Sequence, residues 1–280
     1  MITIRPLTTT DFTLYQQMET GVENDYMLHV YDRLITPPNN YLYGLFKDKI
    51  LVTVAGYTYF PGGNVMLGRL RSDLRFRKLG YPTQLLHFLV DIIKQDPDVC
   101  FIGGYTHIEN WPAKKILAHL GLTFIDKYHN FPAINLGPFI VDKTLIWDEV
   151  ITHSEKRAAL QTLMNENIAS FVYEAYYPFP FSSCLISDDK FSAMRIFQSP
   201  LTQRYLFVDD DYKGEKLLNI RYVHEDIFTT PGLFHTIAEL LKHEPDRLPW
   251  FNFSKTQYSE LKHKDCFRLE EGWELHGVFI

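Results

Sequence analysis

The chain has 280 residues and a formal net charge of −6, with 46% hydrophobic and 22% charged residues. That length allows one large domain or two of roughly 100–200 residues, and the apolar share argues against disorder. No apolar run approaches the ~20 residues needed to cross a bilayer, Cys100, Cys184 and Cys266 fit neither a disulfide framework nor metal spacing, and an acidic balance disfavours nucleic acid or anionic membrane as partner. The start, Met1-Ile-Thr-Ile-Arg-Pro, enters a strand-like alternation without a basic-then-apolar leader, so the expected setting is cytoplasmic. Aromatic residues reach 15% and are read chiefly as core.

Periodicity predicts a short strand at Ile2–Arg5, a helix over Phe12–Val22 and a second over Asp25–Leu34, stopped by Pro37-Pro38. Tyr41–Phe46, a turn at Lys47-Asp48-Lys49 and Ile50–Phe60 form a hairpin, and Pro61-Gly62-Gly63-Asn64 turns the chain into a further strand, Val65–Asp73. From Pro82 to Lys94 the pattern becomes helical, with Leu85, Leu86, Leu89, Val90, Ile92 and Ile93 apolar and Pro82 suited to the helix start. Val99–Gly103 is a strand, Asn110–His119 a helix and Leu122–Lys127 a strand. A strand–helix–strand unit joined to an antiparallel meander means a mixed α/β sheet.

Two prolines and a glycine in Phe131–Pro138 set the domain boundary, giving domains at 1–138 and 139–280. The second half repeats the first in weaker form: a helix over Lys156–Tyr173, strands at Cys184–Ser187, Phe191–Phe197 and Arg204–Asp209, a turn at Asp210–Gly214, a strand Lys216–His224 and a helix Pro231–Lys242. Lys94 and Lys242 share an offset of 148 (242 − 94) with Pro97/Pro245, Leu85/Leu233 and Leu89/Ile237, which suggests a duplication.

The most informative stretch is Leu70-Arg-Ser-Asp-Leu-Arg-Phe-Arg-Lys-Leu-Gly-Tyr-Pro-Thr, a strand that runs through a short loop into a helix. Loop N–H groups and a helix N-terminus together make an anion site. Gly80 lets backbone approach a ligand closely, and Arg75, Arg77 and Lys78 add positive charge to an otherwise acidic chain. A diphosphate is the expected guest.

Arg77-Lys-Leu-Gly-Tyr-Pro82 resembles the acyl-CoA loop of the GNAT N-acetyltransferases, Arg/Gln-x-x-Gly-x-Gly/Ala. Asn110-Trp-Pro-Ala, leading to Leu120-Gly-Leu122, resembles the second motif of that family, an Asn-x-x-Ala helix ending in Leu-Gly-Phe. The resemblance covers residues 1–130. It implies a GNAT-like, mostly antiparallel sheet flanked by helices, present twice, and transfer of an acetyl or other acyl group from acetyl-CoA to an amine within a ternary complex. Leu70, Ser72 and Leu74 would border the thioester arm through their backbones. Residues Arg77, Lys78, Leu79, Gly80, Tyr81, Pro82 and Thr83 would hold the diphosphate, and Asn110 would touch the pantetheine. The implied acceptor is an amine on a small molecule or a peptide, without metal, nucleic acid or membrane, and a homodimer stays open.

Two departures stand out. Pro82 replaces a small residue and brings no N–H. Leu117 stands where many members of the family carry a tyrosine that protonates the departing thiolate, a role open here to water, to Tyr105 or Tyr128, or to no group at all, since a CoA thiolate leaves fairly readily. Attack on a thioester requires a neutral amine and hence a base or a water chain; as the base, Asp73 and Glu109 at the strand ends are candidates, with His107 as an alternative. The second half has His224-Glu-Asp-Ile-Phe-Thr-Thr-Pro-Gly232 before its helix, acidic where a diphosphate needs cations. The expectation is a CoA-competent first domain and a degenerate second one. A non-catalytic CoA-binding or ligand-sensing protein and a cofactor-free scaffold are the competing readings. Trp250-Phe251-Asn252-Phe253 is read as buried strand rather than a platform for RNA bases.

Overall fold

The computed structural model describes residues 1–166 and 168–280, in two compact units. Unit 1 is Met1–Phe124 with Leu275–Ile280, and unit 2 is Ile125–Glu274. In chain order the elements are β1 (Ile2–Pro6), α1 (Phe12–Gln16), α2 (Met27–Leu34), β2 (Asn40–Lys47), β3 (Ile50–Phe60), β4 (Asn64–Ser72), α3 (Tyr81–Ile93), β5 (Phe101–His107), α4 (Trp111–His119) and β6 (Thr123–Pro132). Then come β7 (Asp148–Glu149), α5 (His153–Met164), β8 (Ser170–Glu174), β9 (Tyr177–Pro180), α6 (Asp188–Ala193), β10 (Arg195–Gln198), β11 (Tyr205–Tyr212) and β12 (Lys216–Arg221). The last are α7 (Leu233–His243), β13 (Leu248–Phe253), α8 (Lys255–Glu260) and β14 (Trp273–Phe279).

Unit 1 holds the sheet order β1-β2-β3-β4-β5-β14, antiparallel from β1 to β4 and parallel between β4 and β5. Unit 2 holds β7-β10-β11-β12-β13-β6, again antiparallel until a parallel step, here between β12 and β13. The same topology therefore occurs twice. Each unit takes its final strand from elsewhere in the chain: β6, which follows α4, pairs with β13 of unit 2, and the C-terminal residues Leu275–Ile280 complete unit 1. The division accordingly falls between Phe124 and Ile125 rather than after Pro138, because a strand joins whichever sheet edge supplies its hydrogen bonds.

Local chemistry accounts for most elements of unit 1. Asp48 and Lys49 both have positive φ in the two-residue turn joining β2 and β3, as a hairpin twist demands. α3 buries Tyr81, Leu85, Leu86, Leu89, Val90 and Ile93 on one face, each apolar side chain worth about 1.5–3 kcal/mol when removed from water. α1 stops at Gln16 instead of reaching Val22, since the carbonyls of Gln17 and Glu19 accept from Arg75 and from Leu74 N–H (3.2 and 2.9 Å).

In unit 2 the predicted helix to Tyr173 ends at Met164, and Ser170–Glu174 is strand β8. Cys184–Ser187 forms a turn and cap rather than a strand, the Ser187 hydroxyl accepting from Lys190 N–H (3.4 Å) at the start of α6, which also takes Phe191. β11 runs on to Tyr212, so the strand takes the first three residues of the predicted turn and the reversal is left to the residues after it. Trp250, Phe251 and Phe253 are buried, Phe251 and Phe253 in a core with Phe131, Trp147 and Phe234, so this stretch is a core strand.

Candidate functional site

The parallel ladder between β4 and β5 runs from Asn64–Phe101 to Leu67–Gly104 and ends there, although β4 continues to Ser72 and β5 to His107. A bulge marks the departure. Against β3 the register passes from Val54–Arg71 to Gly56–Gly68, so Ala55 faces both Arg69 and Leu70. Arg69 has a φ of +59°, costly for a side-chain-bearing residue. Its guanidinium offsets that cost by donating to Tyr57 O (3.2 Å), Asn40 Oδ1 (2.8 Å) and Thr58 Oγ1 (2.6 Å). Beside the bulge, a Cβ built on Gly68 meets nothing within 4 Å. The pairing of β4 with β5 stops where this open space begins.

Beyond the bulge, Leu70 packs on the unit 1 core. Arg71 forms a two-pronged ion pair with Asp25, Nε–Oδ2 2.7 Å and Nη2–Oδ1 2.8 Å. Burial pushes the Asp25 carboxyl up, but the hydrogen bonds from Arg71 and Tyr15 outweigh it and hold the group below its ordinary range. Ser72 Oγ lies 3.0 Å from Thr53 Oγ1, which donates to Arg71 O.

Asp73 is fully buried and starts a 3-10 turn, Leu74–Phe76. One oxygen accepts from Arg75 N (3.0 Å) and Arg75 Nε (2.8 Å), and the other from Arg75 Nη2 and Glu19 N (3.4 Å). The Arg75 hydrogen bonds hold its carboxyl below the usual range. Asp73 thus clamps the loop, and a carboxylate so stabilised is a poor proton acceptor.

The loop then rises into solvent. Arg77, Lys78, Leu79 and Gly80 are exposed, with Lys78 at φ +63° and Gly80 at φ +76°. Gly80 caps α3, and a Cβ placed on it meets nothing within 4 Å. Gln84 N is the first to bond back, to Gly80 O (3.0 Å), so the N–H groups of Gly80, Tyr81 and Thr83 have no carbonyl within the helix, and Pro82 has no N–H to leave. Tyr81 is buried while Pro82 and Thr83 are half-buried. Room at Gly68 and Gly80, donors at the helix entrance and cations beside them suit a diphosphate carried on a long, narrow arm.

On the other strand, Tyr105 is half-buried in β5, and Glu109 lies exposed in the turn after it. His107 Nδ1 accepts from Glu109 N (3.2 Å). Asn110 caps α4 through Oδ1, accepting from Ala113 N (3.2 Å). The chain therefore sets Leu70–Leu74 and Tyr105–Glu109 on the two diverging arms. Tyr128 belongs to unit 2 and bonds to Ser170 there.

Three solved structures match almost the whole chain. One is a protein of Thermoplasma acidophilum described as an acetyltransferase, at 12% identity over 98% of this chain and 91% of that one, with a TM-score of 0.55. Another is a GCN5-related N-acetyltransferase from Sphaerobacter thermophilus, at 11% identity over 99% and 95%, with a TM-score of 0.59. The third, from Pyrococcus horikoshii and also described as an acetyltransferase, has 8% identity over 100% and 89%, with a TM-score of 0.54. The fold is that of the GNAT acetyltransferases. No protein-family model matches the sequence, and no curated protein does.

Within the GNAT fold the position of Leu117 is structural: it is buried in the unit 1 core, and its Cδ2 lies 2.5 Å from a Cβ built on Gly104. Unit 2 repeats the parallel ladder, here ending at Ile220–Phe251. Its loop is closed off, however. Gly232 caps α7 at φ +74°, but a Cβ there would lie 2.9 Å from Leu145 O. The acidic residues are spoken for: Glu225 accepts from Ser254 Oγ (3.0 Å) and Asp226 from Tyr222 OH (2.7 Å).

Sequence reasoning missed the Arg69 bulge, the Arg71–Asp25 pair and the Arg75 clamp. A glycine inside a strand pattern, Gly68, was the available sign of the bulge. Asp25 lies 46 residues from Arg71, and nothing local announces that pair.

Proposed function

We propose that this chain is an N-acetyltransferase that passes an acetyl group from acetyl-CoA to a primary amine, with its site in unit 1. The observation that carries the reading is the end of the β4–β5 ladder at Leu67–Gly104, with open space at Gly68 and at the Gly80 helix entrance. Acetyl-CoA supplies a thioester whose carbonyl a neutral amine can attack. The N–H groups of Gly80, Tyr81 and Thr83, with Leu79 and Pro82 shaping the entrance and Arg77 and Lys78 beside it, would hold the diphosphate. Leu70, Ser72 and Leu74 would line the arm through main-chain groups. Asn110, with its oxygen committed to the α4 cap, has its amide N–H groups to offer the same arm.

Of the candidates for proton transfer, Glu109 and Tyr105 sit on the β5 arm and are assigned the base and the acid. Asp73 is set aside because its oxygens are spent on Arg75 and Glu19. The cytoplasmic setting and the amine acceptor belong to this reading.

Acetyl-CoA should raise the melting temperature of the chain, since a ligand held only by the folded state stabilises it. Thiol release in the presence of a panel of amines then tests transfer. A second reading, a CoA-binding sensor without turnover, draws on Leu117, whose buried hydrocarbon cannot donate a proton where the GNAT resemblance calls for a tyrosine. A melting shift with no thiol release from any amine would favour the sensor. No shift at all would end both readings.

A further inference from the structure

Units 1 and 2 build the helix after their fifth strand on the same local plan. In unit 1, Asn110 caps α4 and accepts from the N–H three residues on, at Ala113 (3.2 Å). In unit 2, Ser254 caps α8 and accepts from the N–H three residues on, at Gln257 (3.1 Å). The matching position is therefore alanine in unit 1 and glutamine in unit 2.

Gln257 is 1% exposed, and every polar atom of its side chain is used. Its Oε1 accepts from Ser254 N (2.8 Å), and its Nε2 donates to Tyr222 O (3.1 Å) and to His224 O (2.8 Å). Those carbonyls are the second and fourth past the last ladder pair of β12, at Ile220. Alternate main-chain groups at that level of unit 1, displaced by one for the bulge, are those of Leu70 and Ser72. They are the groups the proposed function gives to the thioester arm. In unit 2 a primary amide of the chain itself has taken the acceptors.

The packing around Gln257 points the same way. It borders a cavity of about 250 Å³ together with Tyr222, Asn252 and Ser254, so cutting its side chain back would extend a space already there. Meanwhile Leu145 packs against Gly232 at the entrance of α7, where unit 1 has open space at Gly80.

We propose that unit 2 keeps a latent site for a neutral, amide-bearing arm, of the pantetheine or dipeptide kind, and that the Gln257 carboxamide fills it. The assignment of the arm to strand carbonyls rests on the function proposed for unit 1, but the plug is a property of unit 2 alone. Gln257→Ala installs the residue that unit 1 carries at the matching position. It removes two donated hydrogen bonds and the one accepted from Ser254 N, and should lower the melting temperature by about 5–10 °C.

The probe is labelled pantetheine, titrated to saturation by equilibrium dialysis against the full-length wild-type chain and against Gln257→Ala. The variant should bind one more equivalent per chain than the wild type, whether unit 1 of the wild type takes one or none. Gln257→Met, which keeps the volume and loses the amide, should bind no extra equivalent. Equal stoichiometry in wild type and Gln257→Ala would overturn the proposal. Should Gln257→Ala fail to fold, crystals of the wild-type chain soaked in pantetheine decide: an arm bonded to Tyr222 and His224 overturns it, and Gln257 undisturbed on those carbonyls upholds it. A wild type that binds no acetyl-CoA would count against the function of unit 1 and leave this comparison standing.

Discussion

Arg75 wraps the carboxylate of Asp73 from two sides, Nε on one oxygen and Nη2 on the other, while its own main-chain N–H caps the same group. Two residues apart, the pair fixes the start of the loop that leads to α3. Asp73→Asn should cost about 1–3 kcal/mol for the bonds lost to a buried carboxylate, Arg75→Ala should destabilise in the same direction although its guanidinium is half exposed, and each should weaken acetyl-CoA binding through a loosened loop. The parallel between the two variants is the test. A general base at Asp73 would make Asp73→Asn far more damaging to turnover than Arg75→Ala, whereas a clamp makes them alike. The folded-state pKa of Asp73 is depressed, so the stability it contributes is complete above its unfolded value, near 3.9. That contribution fades as pH falls through the folded value. Urea melts of wild type and Arg75→Ala should therefore differ at pH 7 and converge in strong acid.

Gly80 combines a left-handed backbone with empty surroundings. Gly80→Ala should cost about 1–2 kcal/mol for the strained φ, and because its methyl meets no neighbour it should keep most of the acetyl-CoA melting shift. Gly80→Glu carries the same backbone cost, adds a negative charge at the helix entrance and should abolish the shift. Differential scanning fluorimetry with and without acetyl-CoA reads both. A full shift in Gly80→Glu would put the cofactor elsewhere.

What the sequence disclosed and what it hid separate along one line, local against distant causes. α3 was legible because Pro82 opens it and Leu85 to Ile93 repeat at the helical period, and the β2–β3 hairpin because its turn residues tolerate positive φ. The length of α1 was not legible, since its end depends on Arg75 and Leu74, more than fifty residues away. β8 was read as helix although its partner β9 follows after two residues, because the Arg221 donations to Val172 O and Tyr173 O that hold it come from nearly fifty residues away. The internal repeat was seen one helical turn out of register. Helix starts at Gly80 and Gly232 give an offset of 152 (232 − 80), four more than the offset read from apolar matches, and a shift of about one turn preserves the buried face. The exchange of β6 and β14 between units leaves no local mark, because any alternating strand can pair with any open edge. In the site, the loop and the α4 cap were legible as motifs, while the roles of Asp73 and Gln257 emerged only from what they touch.

Leu117 rests on the bare backbone of Gly104, and this contact tests whether the leucine is a packing choice. Gly104→Ala puts a methyl 2.5 Å from Leu117 Cδ2 and should cost about 1–3 kcal/mol by overpacking. Leu117→Ala alone should cost about 2–5 kcal/mol as a core truncation. The double variant should cost less than the sum, since the added methyl occupies part of the space the leucine vacates, with a coupling of about 0.5–3 kcal/mol. Denaturant melts of the four proteins give that coupling directly. Strict additivity would mean the two residues do not share the space.

His129 supplies the clearest acid sensitivity in unit 2. Its ring is buried and stacked on Tyr258 at 3.7 Å, its Nδ1 has no hydrogen-bond partner, and burial, with Lys127 and Lys264 nearby, depresses its pKa to about 4. In the unfolded chain a histidine titrates near 6.5, so between pH 6.5 and 4 the unfolded state takes up a proton that the folded state refuses. Stability should therefore be intact at pH 7.5 and fall as the pH drops through that window, by up to about 3 kcal/mol from this residue. His224, lowered mainly by burial, adds in the same direction. His129→Phe keeps a ring against Tyr258 and has nothing to protonate. Its denaturation free energy should vary less with pH than that of the wild type between pH 7.5 and 4.5, and an unchanged slope in that interval would mean that the imidazole is charged in the folded chain.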